Sequence, residues 1–149
     1  MSGKALFVGI GSSHGDDSVG WRIARQLAQS SRQDCDVRCA QTPADLLDWL
    51  EGVATVDVCD AVRGDAPAGT VHMWQWPAAE INCARFVGSH DLSLPAALSL
   101  AEQLGKLPGR VRIWGISIGE AEKFGTLSPA AELALPASVE RMSEALGRD

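Results

Sequence analysis

Ala5-Leu-Phe-Val-Gly-Ile-Gly11, taken with the loop Ser12–Asp16 and the segment Asp17–Ser30 that follow it, points to the architecture. Ala5–Gly11 is a continuous apolar run that closes on glycines. That is the pattern of a strand buried on both faces of a parallel sheet. Asp17–Ser30 reads as a helix, because Val19, Ile23 and Leu27 recur at helical spacing with the small Ala24 and Ala28 beside them. A buried strand, a glycine-rich loop and an amphipathic helix form the first half of a βαβ unit.

The same alternation continues along the chain. Asp36–Ala40 is a short second strand. Thr42-Pro43 reads as an N-cap with proline at the first helical position, ahead of an apolar stripe of Leu46, Leu47 and Leu50. Val53–Cys59 is another buried strand, ending at Asp60. Gly64 and Pro67–Gly69 mark a turn, and Thr70–Trp76 reads as an edge strand. Residues 77–88 carry no clear period. Asp91–Leu104 reads as a helix, with Leu94, Ala97, Leu98, Ala101 and Leu104 in phase, stopped by Gly105 and Pro108. Val111, Ile113, Ile116 and Ile118 belong to a last strand. Ser128-Pro129 opens a C-terminal helical region that Pro136 is expected to interrupt. Strands alternating with helices predict a three-layer α/β/α sandwich around a twisted, mostly parallel sheet. With no repeat or linker, residues 1–149 read as one domain.

Composition narrows the function. The chain has 149 residues, 13 Lys plus Arg against 19 Asp plus Glu, and a formal net charge of −6. That balance disfavours nucleic acid, whose phosphates need clustered cations, and anionic membranes likewise. No apolar stretch approaches the roughly 20 residues of a membrane span. The N-terminal apolar run is too short and too glycine-rich for a signal peptide. Cys35, Cys39, Cys59 and Cys83 form no C-x-x-C pair. They read as reduced thiols, mostly buried, in a cytoplasmic protein, with a Cys35/Cys39 metal clip as the alternative. Three histidines exclude a His-rich metal site, so any metal must borrow carboxylates or thiols.

In open α/β sheets ligands sit outside the carboxyl ends of the strands. The residues after Gly11 and Cys59 are therefore the first candidates. The first loop allows three readings. Its glycines follow G-x-G-x-x-x-G, not the dinucleotide spacing, and Asp16 and Asp17 would oppose a pyrophosphate at the helix N-terminus. Gly11-Ser-Ser-His-Gly15 formally matches a nucleophile elbow, with Ser13 as nucleophile and Asp60 and His90 following in triad order. The third reading uses the acids. One of Asp16 and Asp17 suffices to cap the helix or complement its dipole, and the second remains to be explained. Asp60 ends an apolar strand, and His90 precedes a helix. A carboxylate from the first loop, Asp60 and His90 can converge on one ion. Two oxygens and one nitrogen suit nickel or zinc and leave open positions for exchange or catalysis.

These blocks resemble the hydrogenase maturation proteases, the endopeptidases that finish [NiFe]-hydrogenase large subunits. GIGSSHGDDSVGWRIARQL is similar to the family's glycine-rich strand-loop and its G-D-[DE]-x-x-G block. VDVCDAVRGDAPAGTV is similar to its second block, around D-A and P-G-T. SHDLSLPAALSLAEQLG resembles its His-containing block, and VRIWGISIGE through LSPAAELALPASVERM resembles its last strand and final helix. The resemblance runs nearly end to end.

The resemblance implies a five-stranded, mostly parallel sheet between helices. It places Asp17, Asp60 and His90 on the family's nickel-binding positions, with Asp16 on the neighbouring acidic position. It makes Asp16, Asp17 and Asp60 the catalytic candidates of an aspartate- or metal-type peptidase. It implies a monomer that removes the C-terminal extension of a large-subunit precursor after nickel insertion and uses that nickel as the recognition element. Zinc or another divalent ion is expected to substitute in vitro. A non-proteolytic nickel- or precursor-binding chaperone on the same scaffold is the alternative. Ser12 stands where many members carry Asn. Cys39-Ala-Gln-Thr-Pro-Ala44 replaces a glycine-rich form, and Asp91 adjoins His90. These departures bear on substrate choice.

Other polar and aromatic residues have blander readings. Trp74 and Trp76 are expected to cover the core or a loop, with a grip on a peptide as the alternative. His14 is a candidate contact to substrate, and His72 reads as a strand-surface residue. Asp57, inside a buried strand, calls for a local partner. Glu120, Glu122 and Lys123 read as a solvated loop.

Overall fold

A computed structural model describes residues 3–12, 18–30, 35–87, 92–118 and 129–147, apart from the side chain of Cys83. The described chain runs β1 (Lys4–Ile10), α1 (Val19–Ala28), β2 (Cys35–Ala40), a 3-10 turn (Pro43–Asp45), α2 (Leu46–Trp49), β3 (Val53–Arg63) and β4 (Val71–Gln75). It continues through α3 (Ala79–Cys83), β5 (Arg85–Phe86), α4 (Leu94–Gln103), β6 (Arg110–Ser117) and α5 (Pro129–Gly147). The sheet order is β2-β1-β3-β6-β4, and β5 pairs with the end of β3. The pairs β1/β2, β1/β3 and β3/β6 are parallel, while β4/β6 and β3/β5 are antiparallel. The expected three layers and mostly parallel sheet are present.

Each strand divides its side chains between two cores. Leu6, Val8, Ile10, Val56, Val58, Val111 and Ile113 pack against Leu46 and Leu50 of α2, Ile81 of α3 and Leu94, Leu98 and Ala101 of α4. Phe7, Cys59, Ala61, Trp114 and Ile116 pack against α1 and against Leu135, Met142 and Leu146 of α5. This division explains the unbroken apolar runs, because a strand covered on both faces has no polar side to alternate with.

Several elements depart from expectation. β3 does not stop at Cys59 but continues through Asp60 to Arg63, because β6 keeps pairing with it as far as Val62–Ser117. Residues 77–88 hold a one-turn helix and the two-residue strand β5, which adds a sixth strand to the five expected. Pro136 does not interrupt α5, which spans Pro129–Gly147. Proline there removes one N–H, but Ala131, Leu135, Met142 and Leu146 remain on one buried face, and that burial outweighs the lost bond. The helix α4 begins at Leu94 rather than Asp91, with Ser93 as N-cap accepting from the N–H of Ala96 at 3.2 Å. The Thr42-Pro43 start is as read. The Asp45 carboxylate accepts from the N–H of Gln41 at 3.1 Å and of Thr42 at 3.4 Å.

The cysteines are less buried than expected. Cys59 is buried, Cys35 is half-buried and Cys39 is exposed, and none of these three forms a disulfide. A Cys35/Cys39 clip is excluded by geometry. Both lie on β2, where residues four apart are separated by about 13 Å. Asp57 has its partner. It accepts from Arg112 Nε at 2.8 Å and Nη2 at 3.2 Å and from Trp114 Nε1 at 2.7 Å, with Arg110 Nη2 at 3.6 Å. No helix among the described residues is long and apolar enough to cross a membrane.

Candidate active-site cleft

The site begins where the sheet changes direction. From β1 the chain moves through α1 to β2 on one side, and from β2 it returns through α2 to β3 on the other. α1 and α2 therefore cover opposite faces, and the carboxyl ends of β1 and β3 form a topological switch point. The β1/β3 pairing ends at Gly9–Cys59, while the β3/β6 pairing runs on through Asp60–Gly115. Asp60 is thus the first residue at which β3 emerges past β1.

Strand alternation points Asp60 toward the face covered by α2 and α4. Its side chain is fully buried, and its Oδ1 accepts the N–H of its neighbour Ala61 at 2.8 Å. That contact satisfies a backbone donor beyond the end of β1 and fixes the carboxylate. The carboxylate borders a cleft of about 240 Å³, lined also by Pro43, Asn82, Arg85, Phe86, Ser93 and Leu94. Arg85 is exposed and supplies a cation at the rim.

The helix α1 is fastened to the same strand ends. Gly20 lies against the carbonyls of Ile10 and Cys59, and a Cβ on Gly20 would come within 2.9 Å of the Cys59 oxygen. Cys59 directly precedes Asp60. The G-D-D-x-x-G block therefore closes on a glycine that only close backbone approach explains. The N-cap position of α1 falls on Ser18. Buried between Asp60 and Asp57, the Cys59 thiol is pushed well above its ordinary pKa, first by desolvation and then by the two carboxylates. It is a packing residue, not a nucleophile.

Of the expected site residues, the structure describes Asp60. Ser13, His14, Asp16, Asp17 and His90 lie outside the described residues, as do Asp91, Glu120, Glu122 and Lys123. The described chain resumes at Ser18, two residues before Gly20. It resumes again at Leu92, immediately ahead of the cleft-lining Ser93 and Leu94. Among the described residues no group of three His, Cys, Asp or Glu is placed to hold a metal ion.

The aromatic residues of β4 and its end pack on the sheet. Trp74 and Trp76 pack against the core on the α2/α4 face, as expected. His72 is not a plain surface residue. It is half-buried, its Nε2 lies 2.8 Å from Ser117 Oγ, and its ring stacks on Trp74 with centroids 5.5 Å apart and an interplanar angle of 5°. Sequence reading missed this pair, because its partners are 45 residues apart and only the β4/β6 register brings them together.

No family model matches the chain, and no curated protein matches it. Solved structures do. A hydrogenase maturating endopeptidase, HybD, from E. coli is 20% identical, with a TM-score of 0.80 over 97% of this chain and 93% of that one. A hydrogenase 2 maturation peptidase from a Thaumarchaeota archaeon is 25% identical, with a TM-score of 0.70 over 98% and 99%. A [NiFe] hydrogenase maturation protease from Thermococcus kodakarensis is 19% identical, with a TM-score of 0.68 over 95% and 97%. The shared fold spans essentially the whole of each chain.

Proposed function

We propose that this chain, which has the fold of the hydrogenase maturation endopeptidases, trims the C-terminal extension of a [NiFe]-hydrogenase large-subunit precursor. The observation that carries this reading is the buried Asp60 at the switch point, opening on a cleft in a fold shared end to end with such endopeptidases. In this proposal the nickel already inserted in the precursor is part of the substrate. A carboxylate fixed at the cleft is a hard oxygen donor of the kind a divalent ion accepts, and Asp17 and His90 would supply the other two donors. The sequence neighbours of both help form this end of the molecule: Gly20 against the strand ends, Ser93 and Leu94 in the cleft.

A divalent cation supplies polarisation of a nearby carbonyl. The chain's own residues do the remaining work. Asp60 orients, held by the Ala61 N–H. Asp16 or Asp17 takes a proton from the attacking water as general base. The wall formed by α4 and Phe86 shields the carboxylate from bulk solvent. The protein acts in the cytoplasm as a monomer in this reading.

The test is incubation of purified protein with nickel-loaded and nickel-free precursors, followed by intact mass measurement. The expected result is loss of the extension from the nickel-loaded form alone, abolished by Asp60→Ala and by His90→Ala. Trimming at the normal rate by His90→Ala sinks the metal reading. A stable complex with a full-length precursor points to the chaperone instead. Labelling of Ser13 by a fluorophosphonate probe points to a serine hydrolase.

A further inference from the structure

A second hollow lies beside the Asp60 cleft. It measures about 310 Å³ and is lined by Val62, Ala66, His72, Trp74, Ala84 and Ser117, with Arg63, Asp65 and Glu80 at its exposed rim. Three observations tie it to the cleft. Ala84, in the α3–β5 connection, lines both cavities, so the two adjoin at that residue. Asp60 and His72 both pair with Gly115, so the three form one row across β3, β6 and β4. Asp60 and His72 are then two strand spacings, about 10 Å, apart. Finally, Ser117 and Trp74 share the face of the sheet that holds Asp60.

The floor of the hollow is built. The Trp74 indole lies across Gly115, where a Cβ would come within 2.9 Å of its ring. Phe86 meets the same indole edge to face at a centroid distance of 6.3 Å. Ser117 Oγ holds the His72 ring parallel to Trp74. The result is a flat aromatic floor with aliphatic walls, fixed by a hydrogen bond and not by packing alone. Such a surface holds an apolar side chain by area burial and leaves its polar rim for peptide groups.

We infer that this hollow is a specificity subsite, which takes one apolar side chain of the precursor peptide a short extended step from the bond at Asp60. An extended peptide covers 10 Å in about three residues. The inference rests on the endopeptidase reading, since it assigns the hollow to that site's substrate.

Binding tests it without cleavage. Nickel-loaded [NiFe]-hydrogenase large-subunit precursor, carrying its carboxy-terminal peptide, is titrated calorimetrically into Asp60→Asn protein, which keeps the shape of the side chain and an oxygen donor. Ala66→Trp, at the half-buried bend after β3, fills the hollow, and His72→Ala removes part of its floor. Each is expected to raise Kd by about tenfold to a hundredfold. Replacing the peptide's apolar residues with glycine, one at a time, is expected to reveal one position with the same loss and no further loss against Ala66→Trp. Met73→Gln, on the opposite face, is the control and leaves Kd unchanged. Precursor binding that ignores both hollow variants overturns the inference, as does the absence of binding by the parent. If the hollow variants lose binding while protein with Asp60 intact leaves every precursor full length, the subsite stands and the endopeptidase reading falls. If precursor is trimmed with equal kcat/KM with and without Ala66→Trp, the endopeptidase stands and the subsite falls.

Discussion

Gly9 on β1 and Gly20 on α1 meet backbone to backbone: a Cβ on Gly9 would press on the Gly20 carbonyl group and lie 3.0 Å from Ala24 Cβ. This contact seats α1 on the strand ends that frame Asp60. Gly9→Ala and Gly20→Ala should each destabilise by about 1–3 kcal/mol or more, since backbone cannot yield as a side chain does. Urea unfolding of both variants checks this. Stability equal to the parent would show that α1 can sit further out.

Asp57 is a different acid from Asp60, although only two residues separate them. It points to the opposite face and is 1% exposed, held by Arg112 and Trp114. Asp57→Ala leaves Arg112 half-buried without its carboxylate and should cost about 3–5 kcal/mol. Any protein that remains folded should retain processing, because the cleft lies across the sheet. A variant with normal stability and lost processing would contradict that division.

Asp60→Asn keeps the shape of the side chain and an oxygen for the Ala61 N–H. The circular dichroism spectrum should be unchanged, while processing falls by about a hundredfold or more. Retained processing would remove the charge of Asp60 from the mechanism.

Thiol reactivity should follow burial. At pH 8 iodoacetamide should modify the exposed Cys39 well before Cys59, whose thiol is held neutral by burial and by the flanking carboxylates. Peptide mapping before and after unfolding checks the order. Early alkylation of Cys59 would mean that α1 and β3 open readily.

Arg22 of α1 donates to Glu132 of α5 through both Nη atoms, each at 2.6 Å, and the hydrogen bond holds the Glu132 carboxyl below its usual range. A carboxylate with a lowered folded pKa adds stability above its unfolded value, about 4.3, and loses it as pH falls through the folded value. The Tm gap between parent and Arg22→Ala should therefore be present at pH 7 and close below about pH 4. The pair is exposed, so the gap should also shrink in high salt. A gap independent of pH would assign it to packing.

Local sequence pattern is enough to set the layers and to mark the end of the sheet where the candidate site lies. Unbroken apolar runs ending in Gly11 and near Asp60 are local signals, and a parallel sheet follows from strands that alternate with helices. The local pattern also indicated the Thr42-Pro43 start and the stop at Gly105. Where local signals compete with context, packing between distant segments prevails. Pro136 stays within α5 because its neighbours are buried, and β3 runs past Asp60 because β6 continues to pair with it. Asp57 and Asp60 look alike in the sequence. Strand alternation sends one to two guanidiniums and the other to a cleft. The His72–Ser117 pair and the hollow above Trp74 exist only through the register of β4 on β6. Local pattern reports which face a residue shows, whereas contacts between distant segments depend on register, which no single segment encodes.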